Sequence, residues 1–336
     1  MDQNYLQKNN ILIRKEAYPF IAQIDTIIFD IDGVLVDVDL SYYQTIIDTV
    51  QYYFHQVIHV PGNINLIDKN TILNFKTIGG FNDDWELTAA VILYYLWKMK
   101  EYRLNFLKEL KDLPPLIDNF MIENLSGGGG LPQLVNWIKN NASSPDEVFN
   151  LWDKERIFKL AQEFYAGEKY CFRLYHFHPK MLKRFKGNIE KERAIIKPEV
   201  VEIARQYHVG ILTGRSRAET ELLMERISWN AWLAPETMIT FEDDMGKPSP
   251  DGIKVLMKKF QSKLGVYIGD TMDDLLTVNH LNRYLEQQSC LSALVLGNHF
   301  SEKEATILYY MEHHVDLLAE NVNQVIQLID RTSGKL

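Results

Sequence analysis

Thr26-Ile27-Ile28-Phe29-Asp30-Ile31-Asp32-Gly33-Val34-Leu35-Val36-Asp37 is an apolar run that delivers two carboxylates, one residue apart, into a glycine turn. Thr26 to Phe29 are β-branched or aromatic, the composition of a buried strand, and Gly33 gives the chain the freedom to leave that strand at once. Asp30 and Asp32 then stand at the strand's carboxyl end, the edge at which open α/β sheets bind ligands. Taken alone, Asp-Gly is a common turn pair. A calcium loop is excluded by spacing, because an EF-hand needs a third oxygen ligand before its glycine and a glutamate at the twelfth position.

Beyond Asp37 the pattern turns helical and stays so to about residue 190. Tyr42, Ile46, Val50 and Phe54 recur on one face. A long apolar helix is expected over Trp85 to Leu110, started by Asn82 or Asp83 and followed by Pro114-Pro115, with further helices over Leu131 to Asn140 and Pro145 to Tyr165. From about Lys197 the texture changes to helices alternating with short apolar strands at Val209 to Thr213, Thr237 to Phe241, Gly265 to Gly269 and Ala293 to Leu296. Such alternation implies a parallel sheet with right-handed crossovers. The strand at Thr26 has no strand-helix partner nearby, so its sheet is the one encoded after residue 197. The expectation is an α/β protein with a Rossmann-like core over residues 1–40 and 191–336, interrupted by an all-helical domain over residues 41–190.

Composition bounds the function. The 336 residues are 46% hydrophobic and 24% charged, enough for a full core and a second domain. A net charge of −9 with no run of lysine or arginine argues against a nucleic-acid surface, and no apolar run approaches the ~18 residues of a membrane span. Cys171 and Cys290 stand far apart and unaccompanied, which suggests neither a disulfide framework nor a zinc site and fits a reducing, cytoplasmic setting. Gly127-Gly128-Gly129-Gly130 has no preceding strand and no following Gly-Lys-Ser/Thr, so it reads as a joint between helices rather than a phosphate cradle. His176 and His178 have no third ligand residue beside them and read as solvent-facing or as part of the helical domain's core. The aromatic residues of the insert, among them Tyr52, Tyr53, Trp85, Tyr94, Tyr95 and Trp97, are expected to pack helices together.

Three later strand ends carry polar groups of the kind that Asp30 needs. Ile211-Leu212-Thr213-Gly214-Arg215-Ser216 places a hydroxyl at the start of a helix, where anions are favoured. Gly246-Lys247-Pro248-Ser249-Pro250 follows the next strand, its prolines stiffening the loop that bears Lys247. Val266-Tyr267-Ile268-Gly269 ends in Asp270-Thr271-Met272-Asp273-Asp274, a glycine and then acids in a helix's first turn. Each has a bland reading as a cap, a surface lysine or a complement to a helix dipole, but all four would converge on one sheet edge.

In this order and setting the chain resembles the haloacid dehalogenase superfamily of phosphohydrolases. Asp30 and Asp32 form its first motif, Thr213 the second, Lys247 the third, and Gly269-Asp270 through Asp274 the fourth. A helical cap inserted directly after the first motif resembles the subgroup of phosphoglycolate phosphatases and β-phosphoglucomutase. Within that subgroup Lys76-Thr77-Ile78-Gly79-Gly80-Phe81-Asn82-Asp83-Asp84 looks like the cap loop that dips into the active site and selects substrate, which makes Lys76, Gly79, Gly80 and Asn82 candidate binding residues beside Gly214 and Arg215. The cap is longer than is usual for the subgroup.

The resemblance implies a phosphatase acting on a small phosphorylated metabolite, with Asp30 as nucleophile, Asp32 as acid and base, and Thr213 and Lys247 on the phosphoryl oxygens. Five carboxylates crowded beside a phosphate call for a divalent cation, and a small all-oxygen ligand set favours Mg²⁺. Its implied ligands are the Asp30 carboxylate, the Asp32 backbone carbonyl and Asp270, with Asp274 ligating or supporting. A phosphomutase would keep the same chemistry, yet mutase relatives carry a histidine where this chain has Ser41-Tyr42-Tyr43. Dehalogenase and phosphonatase relatives lack the second acid that Asp32 supplies. A non-catalytic regulatory or binding module on the same fold has no use for buried like charges.

Overall fold

The strand read at Thr26 lies in the interior of the sheet that organises the larger part of the chain. The computed structural model describes residues 3–8, 10–78, 80–81, 83–125, 129–297 and 304–334. Its strands are β1 Tyr5–Lys8, β2 Ile11–Arg14, β3 Thr26–Phe29, β4 Val36–Asp37, β5 Arg193–Ala194, β6 His208–Leu212, β7 Met238–Ile239, β8 Gly265–Gly269, β9 Cys290–Val295 and β10 Leu317–Ala319. Eight of them form one sheet in the order β1-β2-β10-β9-β8-β3-β6-β7, and β4 pairs with β5. β3 runs parallel to β6 on one side and β8 on the other, with Phe29 opposite Ile211 and Ile268. All four of its residues are buried, as a strand covered on both faces requires. Helices link the parallel strands, among them Arg217–Arg226 after β6 and Met272–Leu285 after β8. The fold is α/β.

Three details of the sheet depart from the sequence reading. β7 is only two residues long, because Pro235–Thr237 and Phe241–Asp243 are tight 3-10 turns that take both ends of the expected Thr237 to Phe241 strand. β9 begins at Cys290, three residues before the reading placed it. The antiparallel ribbon β1-β2 and the three-residue β10 went unread, being too short to show a period. Arg14 on β2 donates Nε (3.0 Å) and Nη2 (2.6 Å) to Asp316, just before β10, which ties the ribbon to the sheet's edge.

Contacts divide the chain into two compact units, one of Met1–Asp37 with Arg193–Leu336 and the other Val38–Glu192. The second is helical and is built around Asp84–Glu101, in which every residue from Leu87 to Lys98 is buried. An all-round apolar helix belongs at the centre of a bundle. Asp83 caps it, accepting from the backbone N–H of Trp85 (2.8 Å) and Glu86 (3.0 Å). Ile46, Val50 and Phe54 are buried in the same cluster.

The expected helix to Leu110 instead stops at Glu101. Arg103 takes a left-handed backbone (φ 53°), Leu104 N–H returns to the Met99 carbonyl, and a separate helix runs over Leu107–Asp112. The expected Pro145 to Tyr165 helix is likewise two: Pro145–Phe149, then Lys154–Tyr175 capped by Asp153. The latter bends at Gly167, where a Cβ would lie 2.1 Å from the Gly187 nitrogen. Gly130–Asn141 agrees with the reading, whereas Gly127 and Gly128 lie outside the described residues. His176 caps a helix C-terminus and His178 stacks on Phe172, both exposed. Among the described residues no helix is long and apolar enough to cross a membrane.

Candidate active site

The chain leaves β3 through Asp30, whose N–H bonds to the Ile268 carbonyl of β8 at 2.9 Å. The turn that follows keeps Gly33 at φ 72°, and a Cβ there would stand 2.2 Å from Asp270 Oδ2. Gly33 is therefore needed twice, for the backbone conformation and for the close approach of the acid from β8. Gly269 has the same logic, since a Cβ on it would lie 2.3 Å from the side chain of Asp274. Two glycines thus let three acids crowd together at one sheet edge.

Asp30, Asp270 and Asp274 each offer a carboxylate oxygen within 4.8 Å of the others, and the three could hold a metal ion. Their surroundings differ. Asp274 Oδ2 accepts from the N–H groups of Asp270 (3.1 Å) and Thr271 (2.9 Å) and from Thr271 Oγ1 (2.7 Å). Its Oδ1 accepts from Lys247 Nζ (2.7 Å) and Tyr267 Oη (2.8 Å). Burial acts to raise the pKa of Asp274, but Lys247 and the Thr271 bonds overcome it and leave the group below the ordinary carboxylate value. Burial pushes Asp30 up to about 7 against the pull of Lys247, with Asp274 and Asp32 adding to the rise. Asp270 is driven well up by burial and then by the Asp274 and Asp30 charges.

Lys247 Nζ lies 3.0 Å from Asp30 Oδ2 and 2.7 Å from Asp274 Oδ1. Burial works to discharge it, yet the two carboxylates outweigh burial and raise its pKa. One ammonium does not neutralise three clustered acids, of which Asp30 and Asp274 are buried. The residual negative charge and the all-oxygen donors fit a hard divalent cation, for which Asp30 and Asp270 have the less engaged carboxylates.

Thr213 follows β6 on the same edge. Its Oγ1 accepts from the Arg215 N–H at 3.3 Å, which leaves the hydroxyl hydrogen to be donated elsewhere. The helix Arg217–Arg226 behind it is already capped, by Ser216 and Glu219 and by Glu242 on the Arg217 N–H. Arg215, a candidate binding residue in the sequence, reaches Asp32 with Nη2 at 2.6 Å and Nε at 2.8 Å. The Asp32 side chain stands outside the cluster of three acids. Gly214 is exposed with open space where a Cβ would be.

The structure thus brings together Asp30, Lys247, Asp270 and Asp274, and separately Asp32 and Arg215. Of the cap loop, Gly79, Asn82 and the side chain of Lys76 lie outside the described residues, although Lys76 is within the helix Lys69–Ile78. Gly80 is exposed at φ 80°, and its carbonyl stands so near Gly130 that a Cβ on Gly130 would be 2.1 Å away. Tyr267 is a participant that the sequence reading treated only as strand. The signal was present, since a tyrosine hydroxyl in a buried strand demands a polar partner.

The haloacid dehalogenase-like hydrolase family matches residues 24–281 of the chain. A phosphatase from Thermococcus thioreducens, Tt82, overlays with a TM-score of 0.62 at 24% identity, covering 92% of this chain and 99% of its own. A family IA variant 3 hydrolase from Entamoeba histolytica gives 0.42 at 12% identity, covering 91% and 99%. CbbY from Rhodobacter sphaeroides, solved with phosphate, gives 0.42 at 13% identity, covering 90% and 96%. Of these, only the Thermococcus protein overlays well enough to bear on this chain, and what it shares is the fold. No curated protein matches by sequence. With the family spanning β3 through the helix after β8, and with its strand ends carrying the acids and lysine described above, the chain belongs to the haloacid dehalogenase-like hydrolases.

Proposed function

We propose that the protein is a Mg²⁺-dependent phosphatase that hydrolyses a small phosphomonoester through an aspartyl-phosphate on Asp30. The observation that carries this reading is the ring of Asp30, Lys247 and Asp274 beside Asp270: a buried carboxylate held by a cation within a cluster that needs more positive charge. Asp30 and Asp270 would hold the ion, with Asp274 steadying Lys247 from behind. When bound, Mg²⁺ would offset the charge of the acids and of the phosphoryl oxygens.

In this reading a carboxylate oxygen of Asp30 attacks phosphorus as the bond to the alcohol oxygen breaks, and Asp32 gives that oxygen a proton. Asp32 then takes a proton from the water that attacks phosphorus and frees Asp30. Thr213 Oγ1 and Lys247 Nζ donate to phosphoryl oxygens as charge develops, acting as fixed donors. The helical unit Val38–Glu192 is the natural seat of substrate selection, with Gly80 and its neighbours as candidates. The mutase alternative differs only in where the phosphoryl group goes. The two free, buried cysteines suit a cytoplasmic setting.

Purified protein should release inorganic phosphate from 4-nitrophenyl phosphate with Mg²⁺ and stop on chelation. A panel of phosphorylated metabolites then finds the preferred alcohol. Phosphate release that continues at the wild-type rate in an Asp30→Asn protein refutes the scheme.

A further inference from the structure

Arg215 is placed unlike a substrate-binding arginine. Its side chain is 1% exposed, whereas that of its partner Asp32 is 36% exposed. Two of its guanidinium nitrogens, Nε at 2.8 Å and Nη2 at 2.6 Å, converge on a single oxygen, Asp32 Oδ1. Among the described residues no donor is bonded to Oδ2. The backbone of Arg215 is fixed on both sides: its N–H goes to Thr213 Oγ1 (3.3 Å), and its carbonyl accepts from Phe241 N–H (3.0 Å), in the turn that follows β7. A rigid, permanently charged fork is thus anchored in the core with its tips on one face of an otherwise open carboxyl group.

We propose that Arg215 is a positioning residue that assigns the two oxygens of Asp32 different tasks, Oδ1 as the tethered atom and Oδ2 as the atom that carries the proton. The inference rests on the acid and base role of Asp32 in the proposed phosphatase reaction. In the first step the Asp30 oxygen–phosphorus bond forms, the phosphorus–alcohol bond breaks, and the proton on Asp32 Oδ2 moves to the departing oxygen. In the second step water forms its bond to phosphorus, the Asp30–phosphorus bond breaks, and the water's proton returns to Oδ2. A side chain free to turn about χ1 and χ2 would present Oδ2 to the leaving oxygen only part of the time, and the Arg215 fork removes that freedom. Through its N–H, the same residue also orients the Thr213 hydroxyl, so that one arginine sets the direction of two donors.

The test exploits the leaving group. The phenolate of 4-nitrophenyl phosphate departs without a proton, whereas phenyl phosphate, nearly the same in shape, gains from protonation. For Arg215→Gln, kcat/KM should fall about 30-fold on phenyl phosphate and no more than about 3-fold on 4-nitrophenyl phosphate, less than the roughly 10²–10⁴-fold that general acid catalysis contributes, because the acid is misdirected rather than removed. Arg215→Lys, which keeps a cation for Oδ1, should recover most of the difference. In an Asp32→Asn background Arg215→Gln should leave the ratio between the two esters unchanged. Equal losses on both esters, in protein with native circular dichroism, overturn the positioning role and leave the phosphatase reading standing. If Arg215→Gln does not fold, the same ratio read on Arg215→Met against wild type decides, an unchanged ratio counting against the proposal. Undiminished turnover by Asp30→Asn instead removes the underlying reading.

Discussion

The two units of this protein spend their buried polar groups in opposite ways. In the sheet unit, three acids and a lysine are packed at the ends of β3 and β8, where they strain against one another. In the helical unit, the central buried charge is Lys98, whose Nζ is quietly satisfied by the carbonyls of Leu110 and Leu113. Around it, Trp97 meets the rings of Tyr94, Tyr102, Phe120 and Trp137. One region holds frustrated charge for chemistry and the other holds aromatic packing for stability, so a substitution in each should fail in a different observable.

The largest effect is expected at Asp30. Asp30→Asn should lower the rate of phosphate release by at least about 10⁴-fold, some 5.5 kcal/mol of transition-state stabilisation. Its melting temperature should not fall, because a buried negative charge has been removed from beside two others. Concurrent loss of stability would blur the contrast between the units. Trp97→Ala should do the reverse, costing about 3–5 kcal/mol in urea unfolding while each folded molecule keeps its rate on 4-nitrophenyl phosphate. A tenfold loss of that rate would show that the packing of the helical unit reaches the chemistry.

Lys247→Ala comes next, with a fall of about 10²–10³-fold in kcat, comparable to removing a preorganised donor, and weaker inhibition by inorganic phosphate. Unchanged phosphate inhibition would deny Lys247 a place on the phosphoryl group. The smallest effect concerns Lys98, whose pKa burial lowers to about 8 from 10.5. Between those values the unfolded chain holds a proton that the folded chain has released, so ΔG of unfolding gains with rising pH from this residue. Wild type should therefore gain stability relative to Lys98→Met between pH 8 and 10.5, measured by urea unfolding across that range. A constant gap would mean that Lys98 stays charged where it is buried.

The same contrast explains what was legible in the sequence. The positions of Asp30, Thr213 and Asp270 were readable because a parallel sheet punctuates itself: a few apolar residues, then a polar residue or a glycine, at the one edge where side chains are free to act. The pairing of Arg215 with Asp32 was not, since nothing local joins residues 183 positions apart. Tyr267 looked like any strand aromatic until its hydroxyl was found on Asp274. The helical unit hid its breaks for another reason. Leu104, Leu107 and Leu110 continue the apolar spacing past Glu101, yet the chain turns at Arg103, a non-glycine in the left-handed region that no composition rule marks as a stop. The ribbon β1-β2 and the short β10 are held by pairing with distant strands, with no period of their own to read.

The position of β3 also sets a timetable. Its neighbours β6 and β8 are encoded far downstream, Thr26 pairing with His208 and then with Gly265. At about 5–20 residues per second of synthesis, the first partner strand arrives roughly 10–40 s after β3 itself. Through that interval Thr26 to Phe29 is an unpaired apolar segment on a growing chain, and Val38–Glu192, a contiguous unit, is finished before the first partner strand arrives. The strand that leads into Asp30 is among the first parts made and among the last to be housed, so the newborn chain is most exposed to misassociation at the element that carries the acid cluster.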